Sequence, residues 1–159
     1  MRLAAALLLS AAAAALSAAA CQQHEFEPPS QEERVERADS LYSLYSPALF
    51  DTVTWANDSI RFLEGNLVYS SECRDCHGAL GEAGTDYARE RNLAVPSLVE
   101  PDWEYGGDVE ALRRQIFIGH PEGMPSWGVA RVTPREIDAV AHYILEGLRG
   151  DGAGTPGGG

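Results

Sequence analysis

The sequence predicts an all-α domain of three to five helices, and three observations lead to this fold class. Three stretches place apolar residues three or four positions apart, which is the spacing of one helix face. No run alternates apolar and polar residues as a half-buried strand does. The connection over residues 78–107 is rich in Gly and Pro, and so long a loop in a small domain indicates that a bound group completes the core.

The first two helical stretches have recognisable ends. The first begins at residues 57–59, Asn-Asp-Ser, which favour helix N-termini, and it places on one face Ile60, Leu63 and Leu67. The second follows Asp108 and ends at Gly119, since Gly is common just after a helix. Its apolar face comprises Val109, Leu112 and Ile116.

The third helical stretch has the strongest signals. Residues 133–136, Thr-Pro-Arg-Glu, combine a capping box with Pro at the first helical position. The apolar residues that follow at helical spacing are Ile137, Val140, Ala141, Ile144 and Leu148.

The composition is strongly acidic. Asp and Glu number 24 against 12 positive side chains, all of them Arg, and the formal net charge is -12. Nucleic acids and anionic membrane surfaces are bound by clustered Lys and Arg, so this balance argues against both. An acidic surface suits a basic partner, although excess carboxylate also serves solubility alone.

The N-terminus predicts export. Residues 1–20 contain one positive residue and then an apolar, Ala-rich run, which is typical of a signal peptide. A transmembrane anchor is the alternative, but small residues precede Cys21 and no basic cluster follows it. Residues 18–21, Ala-Ala-Ala-Cys, resemble a bacterial lipobox that lacks its usual Leu. We therefore expect Cys21 to be lipidated and to anchor the chain at the periplasmic, or other extracytoplasmic, face of a bacterial membrane.

Four parts of the chain are predicted from these patterns. The signal peptide covers residues 1–20, and a lipidated N-terminus with a polar, partly helical tether covers residues 21–57. The folded domain covers residues 58–149. Residues 150–159 are mostly Gly and are expected to be disordered.

Residues 73–77, Cys-Arg-Asp-Cys-His, carry the attachment motif of a c-type haem. Two thiols separated by two residues reach two vinyl groups on one porphyrin edge, and the adjacent His77 binds the iron. A thioredoxin-like redox pair and half of a zinc site are the alternatives. The first needs a βαβ context and the second another Cys or His pair, and the sequence has neither. One haem c is therefore predicted, held covalently through Cys73 and Cys76.

Met124 is the predicted sixth ligand of the iron. Apart from Met1 it is the only Met of the chain, and it lies in a Gly-Met-Pro loop between the second and third helical stretches. A Gly- and Pro-rich loop is a poor place for a Met that only fills a core. A thioether ligand also raises the reduction potential of the iron, which suits an electron carrier. His120, four residues earlier, remains the alternative ligand.

The segment over residues 65–148 resembles a class I cytochrome c, with an early Cys-x-x-Cys-His, a late Gly-Met-Pro and a final amphipathic helix. The resemblance implies that the class I cytochrome c fold wraps around one haem. It implies that Gly65 and Tyr69 lie where the first helix crosses the last, with Tyr143 as aromatic partner. It also implies that the carbonyl of Pro96 accepts the N–H of the proximal imidazole.

A narrower resemblance covers residues 96–107 and 124–127. They are similar to the haem domains of the cytochrome c subunit of cbb-type haem-copper oxidases and their soluble relatives. This implies that Trp103, Tyr105 and Trp127 lie near the haem edge or propionates, ordinary aromatic packing being the alternative. Those subunits usually carry a transmembrane helix and two haems, whereas this sequence has one attachment motif and a predicted lipid.

These features predict a single-electron carrier of a respiratory chain, not an enzyme, with His/Met ligation and no small-molecule substrate. Its expected partners are redox proteins, with a terminal oxidase as a candidate. One alternative is a permanently bound electron-entry subunit of a larger oxidase or dehydrogenase, docking through residues 41–55. Another is a ligand-binding sensor or peroxidase in which Met124 leaves the iron, although related dihaem peroxidases need a second haem motif.

Overall fold

The computed structural model of the chain describes residues 29–150. The predicted signal peptide, Cys21 and residues 151–159 of the predicted tail lie outside this range. Within it the chain is helical without a strand, and the extended pairing is limited to one bridge between His120 and Met124. The all-α prediction is confirmed.

Four helices have nine or more residues and three are shorter. The long ones are α1 (Gln31–Leu44), α2 (Asp58–Val68), α5 (Val109–Ile118) and α7 (Pro134–His142). The short ones are α3 (Arg74–His77), α4 (Asp86–Glu90) and α6 (Trp127–Ala130). A 3₁₀ turn covers Pro47–Phe50, and wider π-type turns extend α2 over Tyr69–Cys73 and α7 over Tyr143–Leu148. No helix within residues 29–150 is long and apolar enough to cross a membrane.

The predicted helix ends are confirmed by their caps. The side chain of Asn57 accepts a hydrogen bond from the Ile60 amide at 2.9 Å, and Asp108 accepts one from Ala111 at 2.9 Å. Thr133 and Glu136 form the reciprocal capping box, with the Thr133 amide donating to the Glu136 carboxylate at 2.8 Å. These bonds satisfy amide groups that a helix leaves free in its first turn.

The crossing of α2 and α7 forms the centre of the core, as the cytochrome resemblance implied. A methyl group at Gly65 would overlap the carbonyl of Ala139, so only Gly lets the two backbones approach this closely. The rings of Tyr69 and Tyr143 pack beside the crossing with centroids 5.4 Å apart. Ile137 of α7 has no exposed surface.

The apolar face of α2 that the sequence shows does not enter this core. Ile60, Leu63 and Leu67 are 44%, 62% and 69% exposed. The buried face of α2 is instead formed by Gly65 and Val68. Close backbone approach at Gly65 determines which side of α2 meets α7, so the larger apolar residues point to solvent.

Residues ahead of α2 pack on the same core. Leu41 and Phe50 are buried in it, and the indole N–H of Trp55 donates to the Asp138 carboxylate at 2.7 Å. The alternative that residues 41–55 form a docking surface for a larger complex is therefore wrong for Leu41 and Phe50, because these side chains are covered by the chain's own helices. The boundary of the domain at residue 58 stays a prediction.

Candidate cofactor site

A cavity of about 890 Å³ opens between the Cys-x-x-Cys-His segment and the loop that carries Met124. Every residue that the sequence predicted to hold or surround the cofactor lines it: Cys73, Cys76, His77, Pro96, Trp103, Tyr105, Met124 and Trp127, together with the alternative ligand His120. Buried apolar side chains complete its wall, among them Leu98, Leu112, Ile116 and Ile144. An apolar cavity with a few converging polar groups is the usual form of a cofactor site.

The two thiols come from the end of the α2 helix and from α3. Both Cys73 and Cys76 carry free thiols. Burial, with the neighbouring Glu72 carboxylate, raises the pKa of the Cys73 thiol to about 12, and burial also raises the pKa of Cys76. Both thiols are therefore neutral at physiological pH, in contrast to the lowered pKa of a reactive redox pair.

The imidazole of His77 is oriented by a backbone carbonyl. Its Nδ1 lies 3.4 Å from the Pro96 oxygen, as the resemblance implied. Burial lowers the pKa of His77, so the ring is neutral, and a proton on Nδ1 leaves the lone pair of Nε2 for a metal. The hydroxyl of Tyr69 donates to the Gly78 carbonyl at 2.8 Å and fixes the chain directly after His77.

The opposite wall carries Met124 and is attached to the end of α5. Gly119, with φ +78°, lies so close to the carbonyls of Met124 and Pro125 that a methyl group there would collide with both. The amide of His120 donates to the Met124 carbonyl at 3.0 Å. The position of the Met124 loop therefore depends directly on where α5 ends.

His120 lies on the same loop but is arranged differently. Its side chain is 51% exposed, and its Nδ1 accepts the amide of Glu122 at 3.2 Å. This hydrogen bond occupies the lone pair of Nδ1.

The rings of Trp103, Tyr105 and Trp127 shape the rest of the wall, and Arg149 supports it from behind. Trp103 and Tyr105 pack edge to face with centroids 5.5 Å apart, and the Tyr105 hydroxyl lies 3.0 Å from the Gln115 side-chain oxygen. Arg149 donates to the carbonyl of Leu98 at 2.5 Å and lies over the Trp103 ring. Neither Gln115 nor Arg149 was predicted from the sequence, because a contact to a distant carbonyl or hydroxyl leaves no local pattern.

The residues present fit a covalently held haem. Two neutral thiols, a neutral imidazole oriented by Pro96 and a thioether face one largely apolar cavity, which is the donor set of a c-type haem. Across residues 29–150 there is no group of three or more His, Cys, Asp and Glu side chains placed to hold a bare metal ion.

Comparison with known proteins finds relatives among cytochrome c oxidase subunits. A family model described as cytochrome c oxidase, cbb3-type, subunit III matches residues 60–144. The cbb3-type cytochrome c oxidase subunit CcoP of Cereibacter sphaeroides is 33% identical over 94 residues, which are 59% of this chain and 30% of that protein. CcoP of Rhodobacter capsulatus is 30% identical over 93 residues, 55% of this chain and 29% of that protein.

A third relative is subunit FixP of Bradyrhizobium diazoefficiens, 31% identical over 81 residues, 51% of this chain and 26% of that protein. The chain thus spans less than a third of the length of these curated relatives. No solved structure matches the chain.

Proposed function

The chain belongs to the family of subunit III of cbb3-type cytochrome c oxidase, the c-type cytochromes of that oxidase, and on this premise we propose that it carries single electrons through one covalent haem c. The observation that carries the proposal is the convergence of Cys73, Cys76, His77 and Met124 on one cavity, with His77 oriented by Pro96. When bound, the haem supplies an iron that exchanges one electron between its ferrous and ferric states.

Different residues would attach the haem to the chain and bind its iron. Cys73 and Cys76 would form the thioethers, and their position on one helical end would fix the haem edge relative to the domain. His77 would be the proximal ligand, because its hydrogen bond to Pro96 reserves Nε2 for the iron.

Met124 is the better distal ligand of the two candidates on its loop. His120 is half exposed, and the lone pair of its Nδ1 already accepts the Glu122 amide. The Met124 side chain is half-buried and packs against the apolar core. A thioether needs no deprotonation to bind a metal, so Met124 would ligate the iron over a wide pH range.

The cavity wall would limit contact between the iron and water. Trp103, Tyr105 and Trp127 bring large rings to the lining, and buried aliphatic side chains back them. A dry surrounding tunes the reduction potential and limits access of small ligands. This role fits electron transfer better than ligand sensing or peroxidase chemistry.

The partners and the location follow from the family and the N-terminal pattern. We expect a respiratory redox partner, and because the relatives are subunits of cbb3-type cytochrome c oxidases, a terminal oxidase is favoured. The same relatives favour one further candidate, a permanently bound electron-entry subunit of such an oxidase. Acylation at Cys21 would hold the domain at the extracytoplasmic face of the membrane.

Mass spectrometry and optical spectroscopy of the protein, matured in a haem-attaching host, test the proposal. The first readout is the mass of the denatured chain, which must include one haem. The second is the weak far-red band of a Met–iron bond in the ferric spectrum, which Met124→Ala should abolish and the matched variant His120→Ala should retain. A chain without covalent haem refutes the proposed function, and loss of the band in H120A alone refutes the ligand assignment.

A further inference from the structure

The segment that follows α1 braces the outer side of α5, and it precedes the part of the chain that the family model matches, residues 60–144. The Tyr45 ring packs edge to face on Phe117 of α5, with centroids 5.5 Å apart, and at a tilt on Phe50, with centroids 6.1 Å apart. Its hydroxyl donates to the Glu110 carboxylate at 2.5 Å. Tyr45 thus contacts α5 near its beginning and near its end.

Phe117 links this brace to the Met124 wall. The ring of Phe117 is buried and lies directly against Gly128 of α6, where a methyl group would collide with it. The neighbour of Gly128, Trp127, lines the cofactor cavity. Two residues after Phe117 the chain reaches Gly119, whose close contact with the Met124 carbonyl sets the position of the loop.

The wall that carries Cys73, Cys76 and His77 is held by different contacts. The residues after His77 are fixed by the Tyr69 hydroxyl on the Gly78 carbonyl, and the preceding helix is fixed by the contact of Gly65 with Ala139. Tyr45 takes no part in either contact. A change at Tyr45 therefore loosens the distal wall while leaving the Cys-x-x-Cys-His end in place.

From these contacts we infer that Tyr45 is a positioning residue for the distal ligand: its ring holds Phe117, and through it the end of α5 and the Met124 loop. The inference rests on the proposed ligation of a haem by Met124. It gives the residues ahead of the matched domain a role in keeping the sixth position of the iron closed. An exogenous ligand binds there only in the fraction of molecules whose loop has opened.

This opening is measured by titrating the ferric protein with imidazole and monitoring the loss of the far-red band. Tyr45→Ala should raise the apparent imidazole affinity by about tenfold or more, because it removes both aromatic contacts of the brace. Tyr45→Phe keeps the ring and loses only the hydroxyl contact, so the apparent imidazole affinity of this variant should stay within about threefold of the wild type. Tyr42→Ala is the matched control, since Tyr42 lies three residues earlier and is 60% exposed.

The outcomes separate the inference from the function beneath it. Covalent haem and a far-red band in the wild type are measured first, and their absence refutes the ligation on which the inference rests. If both are present and Y45A binds imidazole like the wild type, or Y42A rises equally, only the inference is overturned. Should Y45A not accumulate, Tyr45→Leu keeps most of the buried volume without the aromatic contact, and an unchanged affinity in Y45L overturns the inference equally.

Discussion

Replacing Asp138 tests how the last helix is fastened to the rest of the domain. Asp138 lies on α7 with 2% of its surface exposed. Its carboxylate accepts hydrogen bonds from the Trp55 indole at 2.7 Å and from Arg61 Nη2 at 2.8 Å, and it also pairs with Arg113. One side chain thus joins α7 to α2, to α5 and to the residues ahead of α2.

The expected loss of stability depends on which charges and hydrogen-bond partners each substitution of Asp138 leaves unpaired. Both partners are largely buried, with 19% and 20% of the side chains of Arg61 and Arg113 exposed. Asp138→Ala leaves Arg61 without a counter-charge and leaves Arg113 with only the half-exposed Glu110 at 3.9 Å, so we expect a loss of about 3–5 kcal/mol in the free energy of unfolding. Asp138→Asn keeps the shape and one acceptor, and we expect a smaller loss of about 1.5–3 kcal/mol.

Urea denaturation followed by far-UV circular dichroism measures both losses, provided that the dependence on urea concentration keeps its slope. The matched control is Asp39→Asn, because Asp39 is exposed on α1 and forms no ion pair within residues 29–150. It should change the free energy of unfolding by no more than about 0.5 kcal/mol. A D138N protein as stable as D39N would show that the buried network contributes little, and the reasoning would be refuted.

Two further changes test the fold and the partner. Gly65→Ala should destabilise the protein by about 1–3 kcal/mol in the same urea assay, because its methyl group meets the Ala139 carbonyl. Gly107→Ala should have little effect, because its added methyl group would meet only open space. Equal losses of stability in the two variants would contradict the close crossing of α2 and α7. Electron exchange with a basic redox protein, measured by stopped flow, should slow as ionic strength rises, since carboxylates such as Glu100, Asp102 and Glu104 line the cavity. A rate independent of salt would contradict a basic partner.

Features governed by short-range rules could be predicted from the sequence. Asn57, Asp108 and Thr133 each cap a helix because a short polar side chain reaches an amide two or three residues ahead. Chemistry that needs a fixed spacing is equally visible, and residues 73–77 alone predict haem attachment at Cys73 and iron ligation by His77. Both depend on neighbours in the chain and not on the fold.

Features that depend on which surfaces meet could not be predicted in the same way. Periodicity shows that α2 has an apolar face with Leu63 and Leu67, but that face is exposed. The side that packs is decided by Gly65, whose lack of a side chain admits the backbone of α7. A hydrophobic pattern predicts that the large apolar residues are buried, whereas the close packing of α2 on α7 requires the smallest residue, Gly65, at the contact.

The same difficulty applies to the residues ahead of α2. Residues 41–55 contain Leu, Tyr, Phe and Trp and so could pack on the domain, but their pattern fits no helix or strand template and does not show which of them are buried. The partners that hold them, Glu110, Arg113 and Phe117, lie more than sixty residues later. Packing of this segment costs conformational freedom without adding a ligand to the cavity. Burial of Leu41 and Phe50 offsets that cost, and the contact of Tyr45 with Phe117 is the route by which the segment would position the wall that carries Met124.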